Sequence, residues 1–138
     1  MNNPKAIICD IDGTLAIMGK RSPYDWKSVG IDTVKEDIAN IVRTYHSLKN
    51  LVVIFSGRED SCREITEEWL EKNNIPYNLL LMRKAGDHRK DSIVKEEMYR
   101  TWIENDYDVM FVLDDRNQVV KMWREIGLTC LQVAEGDF

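Results

Sequence analysis

The apolar run Ala6-Ile7-Ile8-Cys9 leads straight into Asp10-Ile11-Asp12-Gly13-Thr14-Leu15. Two carboxylates at that position need a physical reason, because burying a charge is costly unless it is paired. A second acidic pair, Asp114-Asp115, follows the apolar run 109–113. Four acids in one crevice repel one another unless a cation lies between them. Oxygen donors without cysteine or histidine suit Mg2+. Alone, Asp114-Asp115 reads equally well as a turn that caps the next helix. The same pattern after two apolar runs favours a shared site. Ser56-Gly57-Arg58 follows a third run. It offers a hydroxyl, backbone amides that can approach an anion, and a guanidinium fork that fits phosphate. In isolation it is also an ordinary strand-to-helix turn. Lys95 lies four residues after Asp91. That spacing puts both on one helix face, and without further context an exposed ion pair is the simpler account. His88, between Asp87 and Arg89 in a loop, is a candidate substrate contact, whereas His46 falls among a helix's polar positions and reads as solvated. Neither histidine has a metal-ligand partner at useful spacing. The inventory is that of phosphoryl transfer. One aspartate attacks phosphorus, a second acid moves protons, and a metal, an arginine and a lysine hold the developing charge.

The elements that must position these groups follow from periodicity. Five short apolar runs, 6–9, 51–55, 78–82, 109–113 and 129–133, have the length of buried strands. Helical patterns alternate with them. Ile31, Val34, Ile38, Ile41, Val42, Tyr45 and Leu48 recur at three- and four-residue steps, with Thr33 and Glu36 as a capping box. Ser61 and Glu64 repeat the capping pattern ahead of a helix over 61–72, with Ile65, Trp69 and Leu70 inward. A third helix over 91–105 has Val94, Met98 and Trp102 spaced by four, and a fourth carries Val119, Trp123 and Ile126 until Gly127 stops it. Strand–helix alternation predicts a parallel sheet covered on both faces, with ligands beyond the carboxyl ends of the strands. The polar residues after the runs (Asp10 and Asp12, Ser56 to Arg58, Arg83 and Lys84, Asp114 and Asp115) would then share one edge.

Composition narrows the classes. The 138 residues are 43% hydrophobic and 31% charged, as expected for one soluble domain. No apolar run has the length of a membrane span, and the first residues do not read as a signal peptide. Cys9, Cys62 and Cys130 form no Cys-x-x-Cys and read as core thiols in a reducing, cytoplasmic setting. A net charge of −5 argues against broad clamping of duplex DNA but leaves room to grip a few phosphates at a chain end. No Gly-x-x-x-x-Gly-Lys-Ser/Thr loop is present, which excludes a nucleoside triphosphatase of that type.

The acids and their order carry a resemblance. The stretch from Asp10 to Leu15 resembles the first motif of the haloacid dehalogenase superfamily of phosphotransferases, Ser56 the second, Lys95 the third, and Asp114-Asp115 the fourth. The strings MGKRSPYDW, SGRE, RKDSIVKEEM, DDRNQVVKMWREIG and VAEGDF are similar to the 3′-phosphatase domains of bacteriophage polynucleotide kinase–phosphatases. That resemblance implies an α/β, three-layer Rossmann-like fold with a five-stranded parallel sheet. The short segment 16–30 would stand where relatives insert a cap, leaving no large cap and an open site. It implies Asp10 as nucleophile and magnesium ligand, and Asp12 as general acid and base with its carbonyl facing the metal. Asp114 and Asp115 would hold the metal, and Ser56 and Lys95 the phosphoryl group. Arg21, Arg58 and Asp91 match positions needed for activity. Arg58 would bind or position phosphate, and Asp91 would orient Lys95 or a neighbouring base. Gly57, Thr14, Arg89 and His88 complete the expected substrate contacts, and Arg83, Lys84, Arg89 and Lys90 a rim for the nucleic acid backbone. The implied activity is Mg2+-dependent removal of terminal 3′-phosphates, with 2′,3′-cyclic phosphates as further substrates. The implied partners are single-stranded or nicked nucleic acid 3′ ends and, functionally, a polynucleotide kinase and a ligase. The rivals are a small-molecule phosphatase of the same superfamily, acting on nucleotides or sugar phosphates, and a non-catalytic binding module.

Overall fold

A computed structural model describes residues 2–17, 30 and 32–138. Its centre is β1, Lys5–Asp10, in which Ala6, Ile7, Ile8 and Cys9 are all fully buried. A strand that is apolar at every position, not at alternate ones, must be covered on both faces. It is flanked by β4 (Leu51–Glu59) and β6 (Asp108–Asp114), with β5 (Leu79–Arg83) and β7 (Cys130–Gln132) outside them. The order is β5-β4-β1-β6-β7 and every pairing is parallel. Helices α1 (Glu36–Ser47) and α2 (Arg63–Lys72) cover one face, packing Ile38, Val42, Trp69 and Leu70 on Ile7, Cys9, Val52 and Ile54. Helices α3 (Asp91–Trp102) and α4 (Asn117–Glu125) cover the other, with Tyr99, Val119 and Trp123 against Ala6, Ile8, Val53 and Phe55. This is the three-layer α/β arrangement expected.

Both capping boxes are corrected. Thr33 belongs to β3 (Thr33–Val34), which pairs antiparallel with β2 (Ala16–Ile17). Its backbone is therefore extended, Lys35 N–H donates to Leu15 O at 2.7 Å, and α1 begins only at Glu36. Ser61 lies inside a 3-10 turn, Asp60–Cys62, so α2 starts at Arg63 without a side-chain cap. Two residues of the helical patterns lie outside the core. Leu48 is 64% exposed and Trp102 is 59% exposed. Each sits at or past the last turn of its helix, where Ile103 instead turns into the core beside Tyr99. The three cysteines are buried as free thiols, and burial pushes the Cys130 thiol up to about 12. Among the described residues no helix is long and apolar enough to cross a membrane. The expectation of no large cap falls largely on residues 18–29, outside the described part of the chain, as does Arg21.

Candidate active site

Asp10 is the last residue of β1 and is 5% exposed. Its Oδ1 accepts from Lys95 Nζ at 2.8 Å and its Oδ2 from Thr14 Oγ1 at 3.0 Å. Lys95 reaches it because α3 lies on that face of the sheet and buries the lysine, which is 1% exposed. Its ammonium also contacts Asp114 Oδ2 at 3.2 Å and Asp91 Oδ2 at 3.7 Å. The helix pair Asp91–Lys95 is thus interior, not a surface salt bridge. Burial alone would depress the Lys95 ammonium, but Asp10, Asp114 and Asp91 outweigh it and hold the lysine charged. One cation cannot satisfy so many acids. Burial, then the Asp114 charge, lifts the Asp10 carboxyl well above the carboxylate range, and burial lifts Asp115 too.

Asp114 and Asp115 form the turn between β6 and α4. Asp114 is 1% exposed and saturated with donors. Its Oδ1 faces the amides of Asp115 (2.8 Å) and Arg116 (3.4 Å), and its Oδ2 faces Lys95 (3.2 Å) and the Trp123 indole (3.2 Å). A carboxylate has about four such acceptor sites. Asp115 lies over the β1 turn. A Cβ on Gly13, whose φ is +83, would come within 2.1 Å of Asp115 Oδ2, so only glycine serves there.

Arg58 is placed by β4, which runs on past Ser56 to Glu59. Its side chain is fully buried and grips Asp12 with both prongs, Nε to Oδ2 at 3.0 Å and Nη2 to Oδ1 at 2.7 Å. Thr66 accepts its Nη1 at 3.1 Å, and Asp32 lies 3.6 Å from Nη2. The fork expected to hold phosphate directly is therefore spent on protein acceptors, and Arg58 fixes Asp12. Asp12 itself keeps 26% of its side chain exposed. Ser56, 1% exposed, accepts the Arg58 amide on its Oγ at 3.1 Å.

Arg83 is another correction. It is 9% exposed, not part of a rim, and donates to the carbonyls of Gly57, Asp87 and Arg89 and to Asp91 Oδ1. It ties the end of β4 to the start of α3. Arg89 and His88 lie on the exposed surface. The Arg89 fork is engaged by Asp87 and Glu97, which raise its pKa further, and Arg89 in turn holds the Asp87 carboxyl well below the usual range. Lys84 and Lys90 are exposed as expected.

The buried Asp10, its lysine and the paired acids lie at the carboxyl edge of one parallel sheet. Residues 4–138 match the family described as the polynucleotide kinase PNKP phosphatase domain. The chain belongs to this family. It is 35% identical over 128 residues to a protein of Autographa californica nuclear polyhedrosis virus called "Putative bifunctional polynucleotide kinase/RNA ligase", covering 91% of this chain and 18% of that one. A chain in the structure of the Pnkp1/Rnl/Hen1 RNA repair complex is 46% identical, with a TM-score of 0.97, and the match covers 99% of this chain and 44% of that one. This PNKP-type domain therefore spans less than half the length of either relative. The class C acid phosphatase of Bacillus anthracis, at 16% identity, a TM-score of 0.69 and coverage of 86% and 54%, shares the haloacid dehalogenase-like fold.

The donor set of the PNKP-type site fits a hard divalent cation. Asp10, Asp114 and Asp115 each offer an oxygen within 4.8 Å of the others, and all three are buried. Lys95 is the ammonium placed among them. Because Asp114 already faces four donors, Asp10 and Asp115 are the carboxylates with most capacity left for an ion. The Asp12 carboxylate is turned to Arg58, so only its carbonyl remains for the role implied by resemblance. The polar roles of Trp123, Thr66 and Arg83 are not legible in the sequence. Trp123 reads there only as part of the last helix pattern and Arg83 as one of the rim bases, and Thr66 carries no signal of its own. Only the three-dimensional crossing of α2, α3 and α4 over the strand ends reveals their polar partners.

Proposed function

We propose that this domain removes terminal 3′-phosphates from nucleic acid through a phosphoaspartyl intermediate. The observation that carries the reading is the Asp10 carboxylate, buried at the end of β1 with Lys95 on one oxygen and Thr14 on the other. A carboxylate so held cannot swing away and presents a fixed oxygen to phosphorus. Attack forms the Asp10–phosphorus bond and breaks the bond to the 3′ oxygen, which takes a proton from Asp12. Water then attacks the acyl phosphate while Asp12 takes its proton, and phosphate leaves. Arg58 keeps Asp12 in place for both proton transfers. Lys95, the Ser56 hydroxyl and the amides near Gly57 support the phosphoryl oxygens. Arg21, His88 and Arg89 belong to the proposal as contacts at the substrate's edge. Mg2+, held by Asp10 and Asp115 with Asp114 behind them, would neutralise developing charge on the phosphoryl group.

The substrate class rests on family membership and on two relatives, one called a putative bifunctional polynucleotide kinase/RNA ligase and the other part of an RNA repair complex. On that basis the partners are single-stranded or nicked 3′ ends, in the cytoplasm, processed together with a kinase and a ligase. The deciding experiment measures phosphate release, with and without Mg2+, from matched 3′-phosphorylated DNA, RNA and a 3′-mononucleotide. Preference for either oligonucleotide supports the reading. Strong preference for the mononucleotide overturns it in favour of a small-molecule phosphatase.

A further inference from the structure

The loop that carries the acidic pair is held from behind by the last residues of the chain. The four consecutive residues from Asp114 to Asn117, which join β6 to α4, each have a tie to the segment after β7's midpoint. Asp114 O accepts Val133 N–H at 3.1 Å, and Asp115 O accepts Gln132 Nε2 at 2.9 Å. Arg116 Nε donates to Phe138 O at 2.9 Å, with its guanidinium carbon 4.9 Å from the Phe138 ring centroid. Asn117 N–H donates to Gly136 O at 2.8 Å, and its Oδ1 accepts Gln132 Nε2 at 2.6 Å. Gly136 is buried in an otherwise exposed tail. A Cβ there would lie 2.0 Å from Asp115 O and 2.7 Å from the Arg116 Cα, so the tail backbone is seated directly on the Asp115 peptide. The front of Asp115 is closed by Gly13, and its back by Gln132 and Gly136.

We propose that residues 132–138 are a clasp that positions the Asp115 carboxylate for the divalent cation, with Gln132 and Gly136 as the positioning residues. None of them touches substrate or the reacting atoms. Their effect travels through the peptide of Asp115. A carboxylate on the short connection between β6 and α4 holds an ion only as firmly as that connection is held, and groups that orient a ligand commonly change metal affinity by about 10–100-fold. A three-residue edge strand such as β7 adds little sheet, so its continuation into this clasp gives the terminal segment a role that core packing alone does not. The inference rests on the metal reading above, and its test needs no turnover.

The test uses the full chain and two variants, Gln132→Leu and Gly136→Ala. Magnesium binding is measured by calorimetry without substrate, and amide hydrogen exchange is followed in metal-free protein. Both variants are expected to raise the magnesium Kd, Gly136→Ala about tenfold or more, and to speed exchange at 115–117 while the amides of β1 keep wild-type rates. Gln132 is exposed, so its variant decides the matter if Gly136→Ala fails to fold. Wild-type magnesium affinity in the folded variants overturns the clasp, whether or not the loop loosens. Phosphate release by the wild-type chain then still stands, so a failure here is distinct from a failure of the phosphatase reading.

Discussion

Asp10 and Asp12 have the same chemistry and different surroundings, and the surroundings divide their work. Asp10 is buried against a lysine and a hydroxyl, whereas Asp12 keeps a quarter of its side chain exposed and lies in a guanidinium fork. Asp10→Asn keeps the shape and removes the nucleophile. Turnover should fall by on the order of 10,000-fold or more, with Tm within a few degrees of wild type by calorimetry. Full activity in this variant would end the covalent mechanism. Arg58→Lys tests the other half. A lysine ammonium cannot reproduce the planar double contact with Asp12. The expected outcome is a kcat loss of roughly 100-fold, the scale of a misplaced general acid–base group, with KM little changed. A raised KM at constant kcat would instead show that Arg58 grips the phosphate itself.

The elements matter because the site is assembled from strand ends that are distant in sequence. The apolar runs of β1, β4, β5 and β6 are legible in the sequence because each is continuous and short, and buried parallel strands have to be so. The acids at their ends follow from the same reading. The partners of those acids do not. Lys95 looks like half of an exposed helix pair until α3 is laid across the sheet, and Arg58 looks like a phosphate fork until β4 extends past Ser56 and brings it to Asp12. Thr33 looks like a cap until an antiparallel partner claims its backbone. Long-range pairing overrides local pattern in each case. The contact between the end of β4 and the start of α3 gives a prediction at this scale. A Cβ on Gly57 would come within 2.5 Å of Asp91 Oδ1, and Asp91 faces Arg83, Lys95 and Arg116. Gly57→Ala should therefore push the first turn of α3 away and shift Lys95 with it. A displacement near 1 Å would lower kcat by about 100-fold, read in steady-state kinetics, while far-UV circular dichroism stays that of the wild type.

At the scale of the molecule, the sheet gathers acids at one edge. Among the described residues, Asp10, Asp114 and Asp115 cluster at the carboxyl ends of β1 and β6, and the buried Lys95 contacts two of them, Asp10 and Asp114, while Asp91 is shared with Arg83 and Arg116. The fold tolerates this because donors saturate Asp114 and because Lys95 and Thr14 each hold one oxygen of Asp10. A cation that binds only the folded chain stabilises it by mass action. At a hundredfold excess over Kd that amounts to about 2.7 kcal/mol, which is roughly 8–10 °C in Tm for a domain of this size. Scanning calorimetry in chelator and in excess Mg2+ measures it directly. Asp115→Asn separates charge relief from ion binding. It takes one buried negative charge out of the cluster, so the metal-free Tm should rise above that of wild type. The same change removes a ligand, so the response to Mg2+ should shrink toward zero. A wild type whose Tm ignores Mg2+ would mean that Lys95 and the surrounding donors already balance the site, and that the acids serve the fold alone.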